Sequence, residues 1–351
     1  MLNQDYFDVL KITPDTKVVF VSHNDLDGVG PIIIGKNFFK DCKYFTVSNS
    51  AVDKVVKLVL FSQEYEDREV IFITDVSVVD AGLISYINTE NVRSKRKILL
   101  FDHHGTALAL NKFEWAEVTQ EKGISGTKLF WKYIQENVCD VMSTPRFLKL
   151  DNLVNKISDY DTWQWVKKDD RDCYLLSELY SNTGVEYFLT KYVGEAWDSY
   201  VEFDVFNSMD KVLISDFNKK MEFTILPAIK RSARIMNFTF DVPDSDGTIQ
   251  HFVKTVKCVT ISCSVGELAE KLYEDGIDYI VFFYHDTIGV HTRVDDIDLG
   301  AWAKHMGNGG GHKRAAGFPM NKDNFYLYKN YLFNKFEVEE NLNEENNNGV
   351  K

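Results

Sequence analysis

Cysteine and positive charge are both scarce in this chain. Its five cysteines (Cys42, Cys139, Cys173, Cys258 and Cys263) are widely spaced, odd in number and form no CxxC pair. That pattern excludes a disulfide framework or a zinc ribbon and fits reduced thiols. Lys and Arg number 40 against 53 Asp and Glu, a formal net charge of −13. So acidic a surface repels phosphate backbones, which argues against a long nucleic-acid track. It leaves room for a short phosphate-bearing ligand held by a local cluster or by metal ions. No apolar run reaches the ~18 residues of a membrane span. The opening MLNQDYFDVLK has neither a basic n-region nor an apolar h-region. The expectation is a soluble, cytoplasmic protein with no membrane partner.

What is present is ordinary globular material. Of the 351 residues, 44% are hydrophobic and 26% charged, enough to bury a full core and to exclude disorder for the bulk of the chain. At roughly 150 residues per domain, two domains are expected. Three buried strands read clearly: KVVFVS from Lys17, VIFIT from Val70 and KILLF from Lys97. Helix-like stretches separate them, one of them expected from Gly30 to Phe39 with Pro31 in its first turn. This alternation predicts a parallel sheet with crossover helices over residues 1–168. Residues 169–222 read as a helical linker. A smaller α/β domain is expected over 223–336, with a strand at Val256–Ser262, a helix at Val265–Tyr273 and a hairpin turning at Asp286-Thr287. The tail 337–351, rich in Glu and Asn, reads as disordered and acidic.

Four polar sites fall at or just after predicted element ends: His23-Asn24-Asp25-Leu26-Asp27, Asp75, Asp102-His103-His104, and Asp159-Tyr160-Asp161. In open α/β sheets, ligands sit outside the carboxyl ends of the strands. Taken singly, Asp25 or Asp75 reads as well as a turn former or helix cap. Together, the carboxylates would repel one another unless cations lay between them. Hard oxygen ligands mixed with imidazole suit Mn²⁺, Co²⁺ or Zn²⁺. Two such ions can clamp the attacking and leaving oxygens of a phosphoryl transfer. A second signal is Gly309-Gly310-Gly311-His312-Lys313-Arg314-Ala315-Ala316-Gly317. Its glycines expose backbone N–H groups and admit close approach, as a phosphate or nucleotide cradle requires.

These motifs resemble the DHH–DHHA1 phosphoesterase superfamily over about residues 17–320. SHNDLDGVG, FITD, DHH and SDYDTW are most similar to its nano-RNase B, or oligoribonuclease, branch. The resemblance implies an N-terminal DHH domain, a smaller DHHA1 domain and an active site in the cleft between them. It implies that His23, Asp25 and Asp75 hold one ion, Mn²⁺ first with Co²⁺ or Mg²⁺ as alternatives. Asp27, Asp75, His103 and Asp159 would hold the other, with Asp75 bridging. Asp159 is preferred over Asp161, which is left as nearby support. Here His23 lies two residues before Asp25, where many relatives place it four before. Asp102 would orient a neighbouring histidine, and His104 would face the scissile phosphate. Arg293, Gly309, Gly310, Gly311 and His312 would grip a nucleotide.

The implied activity is metal-dependent hydrolysis of very short oligoribonucleotides to mononucleotides. Alternatives are a RecJ-like single-strand DNA exonuclease, a cyclic or linear dinucleotide phosphodiesterase, a pyrophosphatase or polyphosphatase, and a module that binds a nucleotide without cleaving it. The basic track that a long-strand exonuclease needs is not visible. The GGGHKRAAGF run opposes the pyrophosphatase. A sequestering module would have lost ligands, and every expected ligand type is present.

Overall fold

The computed structural model describes residues 12–137, 145–194, 205–244, 246–261, 265–307 and 309–332. The expected tail 337–351, Cys139 and Cys263 lie outside them. Cys42, Cys173 and Cys258 are free thiols. No described helix is long and apolar enough to cross a membrane. The chain forms two compact units, Met1–Ser215 and Asp216–Lys351.

The first unit is built on five parallel strands: β1 (Val18–His23), β2 (Cys42–Val47), β3 (Val70–Thr74), β4 (Lys97–Asp102) and β5 (Ala116–Val118), in the order β2-β1-β3-β4-β5. Crossover helices α1 (Leu26–Phe38), α2 (Val52–Phe61) and α3 (Ala81–Arg93) join the first four strands. One sheet face packs Val19, Val21, Ile71, Ile73, Ile98 and Leu100 against the apolar sides of α2 and α3. The other packs Phe20, Phe72 and Phe101 edge-to-face against Phe130 of α4 (Gly126–Asn137). Continuous apolar strands are what a sheet covered on both faces requires. The strand order reverses between β1 and β3. That switch point opens a crevice at their carboxyl ends, where His23 and Asp75 stand.

Helix α1 begins earlier than the sequence suggested, at Leu26, so Pro31 lies inside it. Pro31 has no N–H to offer the carbonyl four residues back. The freed carbonyl of Asp27 instead accepts a hydrogen bond from the Thr127 hydroxyl at 2.5 Å. Helices α5 (Pro145–Asp161), α6 (Gln164–Lys168) and α7 (Arg171–Tyr192) complete this unit, and α8 (Ser208–Arg231) runs on across the boundary.

The second unit has six strands in the order β10-β11-β9-β8-β7-β6. They are β6 (Ala233–Pro243), β7 (Ile249–Thr260), β8 (Tyr279–Tyr284), β9 (Thr287–Thr292), β10 (Gly310–His312) and β11 (Ala315–Pro319). Only β7 and β8 pair in parallel, connected by α9 (Val265–Leu272). Phe240, Tyr279, Trp302 and Phe318 fill a core closed by α10 (Leu299–Gly307). Both units are thus α/β, one parallel and one smaller and mixed. One expectation needs correcting here. The β8–β9 hairpin turns at His285-Asp286, where His285 has φ 45, rather than one residue later. Most of the glycine run lies in β10, which pairs with β11 as a second hairpin closed by Lys313-Arg314.

Candidate metal centre

The crevice at the ends of β1, β3 and β4 gathers acids and histidines from distant parts of the first unit. Asp25 caps α1: one oxygen accepts the Gly28 N–H at 2.9 Å, and the other lies 2.7 Å from His23 Nδ1. The cap reading of Asp25 and its place in the cluster therefore hold together. His23, Asp25 and Asp75 bring one ligand atom each within 4.8 Å of one another. So do Asp27, His103 and Asp161. His103 Nε2 lies 3.2 Å from Asp75, 3.4 Å from Asp161 and 3.5 Å from Asp27.

Asp75 stands where the two groups meet. Its N–H donates to the Phe101 carbonyl at 2.8 Å, which carries β3 one step past its end. Its φ is 58, a left-handed conformation uncommon for a residue with a side chain. It is 1% exposed, and neither carboxylate oxygen receives a hydrogen bond. Burial, together with Asp27, Asp25 and Asp161 nearby, raises its pKa well above the usual carboxylate range. Burial and the neighbouring acids Asp27 and Asp25 raise Asp161 as well. Buried carboxylates are otherwise paired or hydrogen-bonded. A strained, uncompensated acid facing imidazole nitrogens therefore fits divalent cations as the missing partners.

Asp27 is held differently. Its two oxygens accept the backbone N–H groups of Gly126 and Thr127 at 2.7 and 3.1 Å, at the amino end of α4. A helix start favours such an anion. The fit requires glycine, because a Cβ at Gly126 would come within 2.7 Å of the Asp75 Cβ. Asp102 accepts the N–H groups of His103 and His104 and the Ser77 hydroxyl, and sits 2.7 Å from His104 Nδ1. Burial would lower the His104 pKa, but the Asp102 carboxylate outweighs it and pushes His104 up to about 9. Burial lowers that of His103.

The two acids that end α5 are placed differently. Asp161, not Asp159, lies beside His103. Both residues sit in the last turn of α5, and residues two apart point some 200° from each other. Asp159 turns away, and both its oxygens take Lys168 Nζ, at 2.8 and 2.6 Å. Ser77, Gly126 and Thr127 went unread in the sequence. The trace they left is Ser125-Gly126-Thr127 ahead of an apolar helical stretch, a helix start with free amides.

In the second unit, Arg293 Nε donates to Asp278 at 2.9 Å and its guanidinium covers the Tyr273 ring. Arg314 pairs with Asp295. Gly310, Gly311 and His312 face Gly317, Ala316 and Ala315 across the hairpin, and the Gly309 N–H donates to Ala303. The glycines serve this pairing first. A Cβ at Gly309 would come within 2.2 Å of the Gly317 carbonyl, and Gly311, at φ +137, within 2.4 Å of that of Ala315. A Cβ at Gly310 would meet nothing within 4 Å, so that side of the hairpin is open.

The DHHA1 domain family model matches residues 252–332. The chain is 29% identical over 321 residues to oligoribonuclease NrnB of Bacillus subtilis (strain 168), covering 88% of this chain and 74% of that protein. Its fold is similar to that of the pGpG-specific phosphodiesterase PggH from Vibrio cholerae (TM-score 0.52, 11% identity, 92% of this chain and 99% of that one). It is also similar to RecJ in complex with Mn²⁺ from Thermus thermophilus (TM-score 0.53, 11% identity, 90% and 51%).

Proposed function

We propose, from the premise that this chain belongs to the DHH/DHHA1 phosphoesterase superfamily and is a metal-dependent phosphoesterase, that its substrates are very short oligoribonucleotides cleaved to mononucleotides. The observation that carries this is Asp75, a buried carboxylate with no hydrogen bond to either oxygen, standing between two sets of ligand atoms. His23, Asp25 and Asp75 would hold one cation, and Asp27, Asp75, His103 and Asp161 the other. Mn²⁺ suits the mixed oxygen and imidazole set, with Co²⁺ or Mg²⁺ as the alternatives. Bound there, the cations supply charge against the phosphoryl oxygens and lower the pKa of the attacking water.

The chain's own groups do the rest. Ser77 and two backbone amides hold Asp102, and Asp102 fixes the His104 ring through Nδ1. Nε2 is then left to carry the mobile proton. The Asp102 carboxylate favours the protonated ring, so His104 would give a proton to the leaving oxygen as the P–O bond breaks. The amides of Gly126 and Thr127 hold the Asp27 carboxylate still, so the site is organised before substrate arrives. Arg293, the Gly309–Gly311 backbone and His312 would hold a terminal nucleotide, Arg293 exchanging Asp278 for phosphate. The similarity to an oligoribonuclease and the −13 charge support short substrates over long ones.

The test is a substrate panel (diribonucleotide, 5-mer, 20-mer of RNA and of DNA, cyclic dinucleotide, pyrophosphate) run with Mn²⁺ and with chelator. The diribonucleotide should turn over fastest, and only with metal. Preference for the 20-mer DNA or for pyrophosphate overturns the proposal.

A further inference from the structure

A cavity of about 560 Å³ opens beside the acids, wholly within the first unit. Pockets of ~300–1,000 Å³ enclose small organic ligands. Part of its wall is acidic, formed by Asp25, Asp27 and Asp161. Another part carries no charge: Tyr160 from the end of α5 and Ser177, Tyr180 and Ser181 from α7. At Gly184, which also lines the cavity, α7 breaks, with φ 78 and ψ −179, a conformation open essentially to glycine alone. The Tyr180 hydroxyl donates to the Asn24 carbonyl at 3.2 Å, which ties this wall to the loop after β1. Behind the wall, Tyr160 stacks on Trp165 at 6.5 Å between ring centroids.

No Lys, Arg or His is among the described residues that line the cavity. With cations on Asp25, Asp27 and Asp161, a further phosphate deeper in the cavity would still meet no Lys, Arg or His. Phenol rings and serine hydroxyls instead suit a flat, uncharged group that forms hydrogen bonds. A nucleobase with its sugar has that chemistry: any base has a face to stack, and the sugar hydroxyls need partners. We infer that this cavity seats one nucleoside of the substrate, joined to the scissile phosphate and bearing no further phosphate, with Tyr180, Ser177 and Ser181 as its contacts. The inference rests on the phosphodiesterase reading above. It adds that one end of the substrate must stop in the first unit, which limits length there whatever the second unit does.

The decisive comparison uses the full-length protein with Mn²⁺ and three diribonucleotides: one with both ends free, one with a 5′-phosphate and one with a 3′-phosphate. One of the two phosphorylated forms should show a KM at least about tenfold higher, the cost of losing one stacked base. Equal KM for all three overturns the inference. Ser181 is exposed on α7, so Ser181→Trp fills the cavity from its rim. That variant should raise KM for the free-ended dinucleotide about tenfold. It should also abolish the saturation-transfer NMR signal of adenosine bound to chelator-treated protein. Ser181→Arg puts a cation in the cavity and should recover the refused phosphorylated form. If circular dichroism shows a variant unfolded, the three-substrate comparison on the unaltered protein decides alone. Wild-type protein that binds adenosine but cleaves no diester with any metal rejects the functional reading and keeps the cavity. Cleavage without adenosine binding, and with indifference to end phosphates, rejects the cavity and keeps the function.

Discussion

The crevice of the first unit and the surface of the second arrange their charges in opposite ways. In the second, acids stand opposite bases: Asp278 with Arg293, Asp295 with Arg314, Asp296 with Lys254, Glu274 with Lys257. These pairs lie at or near the surface and cost the fold little. In the first, Asp27, Asp75 and Asp161 converge on the His103 ring, and neither carboxylate oxygen of the buried Asp75 accepts a hydrogen bond. The contrast separates structural charge from functional charge. Paired acids need nothing further, whereas the clustered ones lower the stability of the unit until a cation arrives.

The comparison breaks first, and hardest, at Asp75. Asp75→Asn keeps the shape and tolerates φ 58, yet should cut diester hydrolysis by about 10³-fold. The same change should raise the unfolding free energy of chelator-treated protein by ~1–2 kcal/mol, because it removes a repelled charge. Activity assays with calorimetry read both, and a less stable metal-free variant would show that the acid is structural.

The pair in the last turn of α5 comes next. Asp161→Asn should lose about 10²-fold in activity and weaken Mn²⁺ binding in titration calorimetry. Asp159→Asn breaks a bond to a largely exposed lysine and should cost about 1 kcal/mol or less, with activity kept. The reverse ranking would move the ligand to Asp159.

Proton linkage should set His104 of the first unit against His291 of the second. His104 is raised to about 9, so below its unfolded value near 6.5 it contributes fully in metal-free protein. That contribution, roughly 3 kcal/mol, is lost as pH climbs to 9. Asp75 and Asp161, raised as well, add in the same sense. His291 in β9 is pushed down by burial to about 4, so its effect is opposite: stability is kept above pH 6.5 and falls as pH drops toward 4. Hydrogen exchange resolved by residue, run at pH 4.5, 6.5 and 9, measures both. Smallest of all should be Arg314→Gln, within about 1 kcal/mol of the parent and with unaltered KM.

Much of the first unit was legible because its strands are unbroken apolar runs and its acids follow them directly. β2 was not, since CKYFTV is only partly buried and mixes lysine and tyrosine with apolar residues. Choosing Asp161 over Asp159 needs the phase of α5, which residue identity does not supply. The clamp on Asp27 is made of backbone amides, and those leave no mark on composition. In the second unit the glycine run pointed to close approach. It did not say that the nearest thing approached is the chain's own β11.

The carbonyl released by Pro31 has a mechanical consequence. Asp27 is gripped three times by one helix start: by Thr127 through its carbonyl, and by Gly126 and Thr127 through its carboxylate. Helices α1 and α4 are thereby riveted at their amino ends. A tilt of either drags the acid with it, so the gap between Asp27 and Asp75 works as a fixed gauge, machined by two helices far apart along the chain.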